Sequence, residues 1–276
     1  MRLLYGSGHS VWRLYFAVAV SLAINSVSVL MAADETAPGS ATKQNSATTP
    51  VFHSGTTAKH EKINARAEQG DVDLIFIGDS ITEGWAGRGK SVWEKYYDNR
   101  KAMNAGVGGD RTQHVLWRLD NGNIEGIHPK LAVIMIGTNN VGSNTPEDVA
   151  EGIKAIVQKV REKLPETKIL LLGIFPRGQI PEMTADISEE DRAKAEAKLK
   201  ATKFQREQNA KASKLASEVA DNKMVFYMDI GPKFLDAEGV LSKDIMPDYL
   251  HPNAKGYEIW AEAIEPKVAE LLGEKK

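Results

Sequence analysis

No cysteine occurs in the 276 residues. That absence excludes a disulfide scaffold, a Cys-ligated zinc site and a thiol nucleophile, so covalent chemistry falls to a hydroxyl. An excess of either charge is lacking as well. The 35 Lys and Arg stand against 37 Asp and Glu, a formal net charge of −2. A general nucleic-acid binder needs a basic face, and this balance argues against one. What is present suits a folded, enzyme-sized chain: hydrophobic residues make up 42%, too many for a disordered one. The length admits one large domain or two small ones.

The N-terminus reads as an address. Arg2 and Arg13 flank the start of an apolar run, 14–24, whose one polar break is Ser21, and small residues follow to Ala32 and Ala33, just before Asp34. A charged start, an apolar middle and a small-residue exit form the pattern of a secretory signal. Residues 1–33 are therefore expected to be a cleaved signal peptide, and the protein to be exported to the periplasm or the medium. The alternative is an uncleaved membrane anchor, since 14–33 has about the length needed to cross a bilayer. Asn25, Ser26 and Ser28 dilute that span, and a lipid anchor would need a cysteine. Once residues 1–33 are removed no stable membrane span is expected. The chain is then 33 positive against 37 negative. Residues 34–58, rich in Ala, Thr, Ser, Gly, Pro, Gln and Asn, offer little apolar surface to offset ordering entropy and are expected to be a flexible linker.

From there to the end, 59–276, strand and helix signals alternate. Apolar, β-rich runs occupy 73–77, 101–105, 131–136, 168–174 and 224–228. Three of them are apolar throughout rather than alternating, as in strands covered on both faces. Between the third and fourth, Val149, Ile153, Ile156, Val157 and Val160 recur at helical spacing after Pro146. The alternation predicts a three-layer α/β/α domain around a parallel sheet. A long charged helix is expected over 188–220, started by Ser188 with Glu190 and Asp191. It reads as a solvated helix held by charge pairs, or as a lid over the active site.

In an open parallel sheet ligands bind beyond the carboxyl ends of the strands, so the residues leaving each strand carry the functional reading. Gly78-Asp79-Ser80 leaves the first strand and puts a hydroxyl beside backbone donors, suitable for a nucleophile. Gly109, within Gly106-Val107-Gly108-Gly109-Asp110 after the second, lacks a side chain, so its N–H is approachable. Asn139, in Gly137-Thr138-Asn139-Asn140 after the third, has an amide that can donate to an oxyanion. Asp248 and His251 stand three apart before the last helix, where His251 can take the Ser80 proton while Asp248 orients it.

In this order the four blocks resemble the SGNH hydrolases, the GDSL esterase/lipase superfamily. The stretches 106–122, 137–140 and 172–178 are more specifically similar to the catalytic subunits of the intracellular type I platelet-activating factor acetylhydrolases. The resemblance spans about residues 70–272. It implies a flavodoxin-like sheet of five parallel strands, Ser80 as nucleophile, His251 as base and Asp248 as its partner. It also implies an oxyanion hole made of the Ser80 N–H, the Gly109 N–H and the Asn139 side chain, with no metal and no cofactor. Short acyl groups, acetyl above all, would be the substrate. Those relatives form dimers, which makes a homodimer a candidate state here.

The remaining residues have plainer readings. His53 and His60 fall in or beside the linker, and His114 and His128 read as structural or solvated. Asp79 is expected to cap its turn rather than join a triad. Asp110, Arg111 and Arg177 are candidate substrate contacts, with a helix cap the favoured reading of Asp110. Trp117 and Trp260, at helical spacing, are expected in the core. Residues 84–91, Gly-Trp-Ala-Gly-Arg-Gly-Lys-Ser, match a phosphate-loop pattern, but Gly78-Asp79-Ser80 already takes the strand exit where such a loop must stand. The sequence thus predicts an exported serine esterase for small acyl esters. A carbohydrate O-acetyl esterase, a lysophospholipase or thioesterase, and a catalytically dead surface-binding module are the alternatives.

Overall fold

A computed structural model describes residues 44–274. The proposed signal peptide and the first part of the proposed linker lie outside the described residues.

Five short strands form one parallel sheet: β1 (Leu74–Gly78), β2 (Ala102–Gly106), β3 (Leu131–Met135), β4 (Lys168–Leu172) and β5 (Val225–Met228). Their order is β2-β1-β3-β4-β5, the doubly wound order in which the chain reverses direction between β1 and β3. The crevice at such a switch point is where ligands bind, and here it opens between Gly78 and Met135, which pair in register. The strands are apolar on both sides because both faces are covered. Ile75, Ile77, Ala132, Ile134, Ile169 and Leu171 point into one core. Leu74, Phe76, Leu131, Val133, Leu170 and Leu172 point into the other.

Helices α1 (Thr57–Glu68), α4 (Thr112–Asp120), α5 (Pro146–Lys163) and the second half of α6 (Glu189–Ala216) bury Ile63, Leu116, Ile156 and Ala212 in the first core. Helices α2 (Ser80–Glu83), α3 (Lys90–Tyr96) and α7 (Ala254–Leu272) bury Ile81, Val92 and Trp260 in the second. This layering is the three-layer α/β/α, flavodoxin-like arrangement that the resemblance implies. No described helix is long and apolar enough to cross a membrane.

The linker expectation fails for residues 44–58. This stretch packs along the domain and is tied down by polar bonds rather than by apolar bulk. Asn45 caps a single 3-10 turn, Ser46–Thr48, and its amide donates to the Asp148 carbonyl at 3.2 Å. The Thr112 hydroxyl donates to the Ala47 carbonyl at 2.8 Å, and Ala47 is fully buried. Phe52 packs edge-on against Trp117, 4.8 Å between ring centroids. Trp117 is accordingly half-buried, a shelf for this segment rather than a core residue, whereas Trp260 is completely buried.

Candidate active site

Asp79 caps α2, accepting the Ile81 N–H at 2.9 Å, and so turns the chain sharply from β1 into a helix that begins with Ser80. The turn has no room for a side chain at Gly78. A Cβ there would lie 2.1 Å from the Thr82 hydroxyl and 2.4 Å from the Met135 carbonyl. Asp79 itself is fully buried with one oxygen unpartnered, and burial pushes its carboxyl up to about 7 against the pull of the Ile81 N–H.

The Ser80 hydroxyl meets His251 Nε2 at 2.9 Å, although 171 residues separate them. His251 Nδ1 meets Asp248 Oδ2 at 2.7 Å. The other oxygen of Asp248 accepts the backbone N–H of His251 at 2.7 Å and of Leu250 at 3.0 Å. The carboxylate is therefore clamped by its own loop before it touches the ring. Burial works to raise the Asp248 carboxyl, but the bonds from His251 and Leu250 outweigh it and hold it below its ordinary value. Tyr249, between them, takes a left-handed backbone at φ 57°, and its carbonyl accepts the Gly178 N–H at 2.8 Å. That bond fastens the loop bearing His251 to the loop after β4.

Gly109 follows β2 with φ 76°, a conformation that suits glycine. Asn139, in the turn after β3, donates from its amide to the Asp110 carbonyl at 2.9 Å. One amide hydrogen is thereby spent on fixing the group, and an amide has a second to donate. The structure brings Ser80, Asp248 and His251 into one chain of contacts.

Two expectations about neighbouring residues are corrected. Asp110 is neither a substrate contact nor a helix cap. It is fully buried, and both its oxygens accept from Arg118, Nε at 2.6 Å and Nη2 at 3.0 Å. Arg111, not Asp110, holds the capping position of α4, where its backbone N–H donates to His114 Nδ1 at 3.1 Å. Arg177 stays at the site. It is half-buried, lies 3.3 Å from the Thr138 hydroxyl, and feels the charges of Asp79 and Asp248.

Sequence reasoning missed His53. Its Nδ1 lies 2.8 Å from Asp110 Oδ1, and its ring stacks on His114 at 4.4 Å. It also missed Glu83, whose carboxylate accepts the Gly108 N–H at 2.5 Å and pairs with Lys59. The signal for Glu83 was its place one turn after Ser80, on the same face of α2. The open cavity holding Ser80 has a volume of about 350 Å³ and is lined by Glu83, Gly84, Ala86, Gly87 and Arg88.

The sequence profile of the GDSL-like lipase/acylhydrolase family matches residues 76–259. Subunit alpha1 of platelet-activating factor acetylhydrolase IB from Bos taurus is 35% identical over 214 residues, covering 77% of this chain and 82% of the relative. A GDSL-like lipase structure from Bacteroides thetaiotaomicron superposes with a TM-score of 0.55 at 19% identity, over 77% of this chain and 97% of that one. A carbohydrate acetylesterase structure from Sinorhizobium meliloti superposes with a TM-score of 0.52 at 19% identity, over 72% and 99%. Profile, relatives and sheet order together place the chain in the GDSL-like lipase/acylhydrolase family, as a carboxylic ester hydrolase of the SGNH fold.

Proposed function

We propose that this protein is an exported serine esterase that removes short acyl groups, acetyl first among them, from a polar alcohol. The observation that carries the reading is the unbroken contact chain Ser80–His251–Asp248 beside Gly109 and Asn139 at the switch point of the sheet.

Ser80 Oγ attacks the ester carbonyl while His251 Nε2 takes its proton. Asp248 holds the ring with Nδ1 protonated and stabilises the imidazolium that forms. The carbonyl oxygen, now negative, is met by the Ser80 and Gly109 N–H groups and the second Asn139 hydrogen. His251 returns the proton to the leaving alcohol, then activates water to clear the acyl-enzyme. A polar leaving group is supported by the charged side chains of Glu83 and Arg88 in the Ser80 cavity, and acetyl by the 35% identity to an acetylhydrolase subunit. Export is supported by the signal pattern of residues 1–33, and the N-terminus of the secreted protein tests it: an intact Met1 contradicts cleavage.

Ser80→Ala is expected to abolish hydrolysis of p-nitrophenyl acetate and labelling by a fluorophosphonate while the protein keeps its melting temperature. Undiminished turnover in that variant ends the reading. A panel of acyl esters of rising chain length, with acetylated sugars beside them, ranks substrates by kcat/KM. Acetyl esters are expected to lead, and a preference for long acyl chains overturns the acyl assignment.

A further inference from the structure

The loop Val107–Asp110 that offers the Gly109 N–H is held at two points, and neither is Gly109. On one side Glu83 accepts the Gly108 N–H. On the other, the Asp110 carboxylate is gripped by Arg118 and by His53. Asp110 also presents the carbonyl that spends one hydrogen of Asn139. One buried residue thus ties together two of the three groups that face the developing oxyanion. Gly109 has no side chain to anchor it, yet a Cβ built on it would lie 3.0 Å from His53 Cε1. The imidazole stands directly over the glycine.

We propose that His53 is a positioning residue for the oxyanion hole. It arrives on the segment ahead of α1, which packs along the five-stranded sheet's domain. Its Nδ1 steadies the Asp110 carboxylate, and through the Asp110 carbonyl the Asn139 amide, while its ring blocks Gly109 from swinging out. The role rests on the esterase reading centred on Ser80. Donors to a developing oxyanion act by being aimed beforehand, so an ångström of slack in them is felt in the transition state and little in substrate binding.

The surroundings fit this role and oppose the rival one. His53, Asp110 and His114 cluster as metal ligands do, with candidate ligand atoms within 4.8 Å of one another. Yet both Asp110 oxygens already accept from the Arg118 guanidinium, His114 Nδ1 accepts from the Arg111 backbone, and a cation there would stand against Arg118. The carbonyl of His53 accepts the Thr56 hydroxyl at 2.6 Å, and Thr56 in turn accepts from Arg118 Nη2 at 2.7 Å. The same arginine therefore fixes both the segment that delivers the imidazole and the acid that receives it.

The test uses the full chain with His53 changed to Ala, Asn and Gln. Asn places an amide N–H near the position of Nδ1, whereas Gln carries its amide one methylene beyond it. His53→Ala is expected to lower kcat on p-nitrophenyl acetate roughly 10- to 100-fold with KM changed less than about twofold, and to slow fluorophosphonate labelling of Ser80 in parallel. His53→Asn is expected to recover most of that loss and His53→Gln little of it. Unchanged kcat in His53→Ala, a loss confined to KM, or equal rates for Asn and Gln overturns the role. Should the alanine variant fail to fold, the Asn-against-Gln comparison decides alone. A labelled, active wild type matched by His53→Ala removes only this role. A wild type in which Ser80 resists labelling takes the esterase reading down with it.

Discussion

Asp79 stands next to Ser80 and takes no part in the contact chain, yet it makes stability depend on pH. Its carboxyl is pushed up to about 7 by burial, so the folded protein keeps a proton that the unfolded chain gives up near pH 4. Stability is therefore full below that point, falls as pH rises toward 7 and levels off above it. Asp79→Asn keeps an oxygen for the Ile81 N–H and has no charge to bury. It is expected to melt above wild type at pH 8, by on the order of 1–3 kcal/mol, with the gap closing toward pH 4. A gap equal at both pH values contradicts the account. Ser80, Gly109, Asn139, Asp248 and His251 were legible as candidates because each leaves a strand or opens the last helix, and the sheet rule says where to look. Asp110 misled because an acid before a helix reads as a cap. Its true partner, Arg118, sits two turns into α4, and nothing local signals a buried ion pair. His53 was illegible for a related reason: its partner lies 57 residues away and its neighbours in sequence are all polar or small apart from Phe52 and Val51.

The elements themselves were easier to read than their joints. Every strand was found within two residues of its bounds, since apolar runs flanked by Gly or Asp have few other uses in a sheet covered on both faces. The phosphate-loop pattern at 84–91 shows what glycine spacing alone conveys. A Cβ on Gly84 would lie 1.9 Å from the Tyr257 hydroxyl, and one on Gly89 would lie 2.7 Å from Tyr257 Cγ and 2.9 Å from Trp85 Cε3. These glycines make room for aromatic rings of the second core, with Trp85 wholly buried between them. Gly89→Ala is therefore expected to destabilise the fold by roughly 1–3 kcal/mol in urea unfolding, the range for overpacking, with no nucleotide bound by either protein. A neutral result refutes the packing account. Helix α6 fits neither of its two readings fully. Its first half is solvated, but Arg206 donates to the carbonyls of Arg177, Gly178 and Gly239 at 2.9, 2.9 and 2.6 Å. It buttresses the loop that fastens Tyr249.

At the scale of the whole molecule, the domain reaches back to Gln44 instead of starting at the first long helix. A chain beginning at Gln44 is the reference for this segment. One beginning at Thr57 loses the Ala47 burial, the Phe52–Trp117 contact and the polar ties of Asn45 and His53, and is expected to be less stable by roughly 2–4 kcal/mol. Equal melting of the two contradicts the packing of this segment. Composition concealed it, because polar residues bound to backbone and to buried acids look the same in sequence as residues bound to water. The span of 171 residues between Ser80 and His251 bears on how the enzyme comes into being. Synthesis runs from the N-terminus, so the serine, the sheet and the amide of Asn139 are all made before the imidazole. His251, the proposed base, directly precedes α7, which docks Tyr257 and Trp260 into the second core. A nascent chain thus lacks its proposed proton acceptor, and cannot run the proposed Ser80 chemistry until its last helix is home.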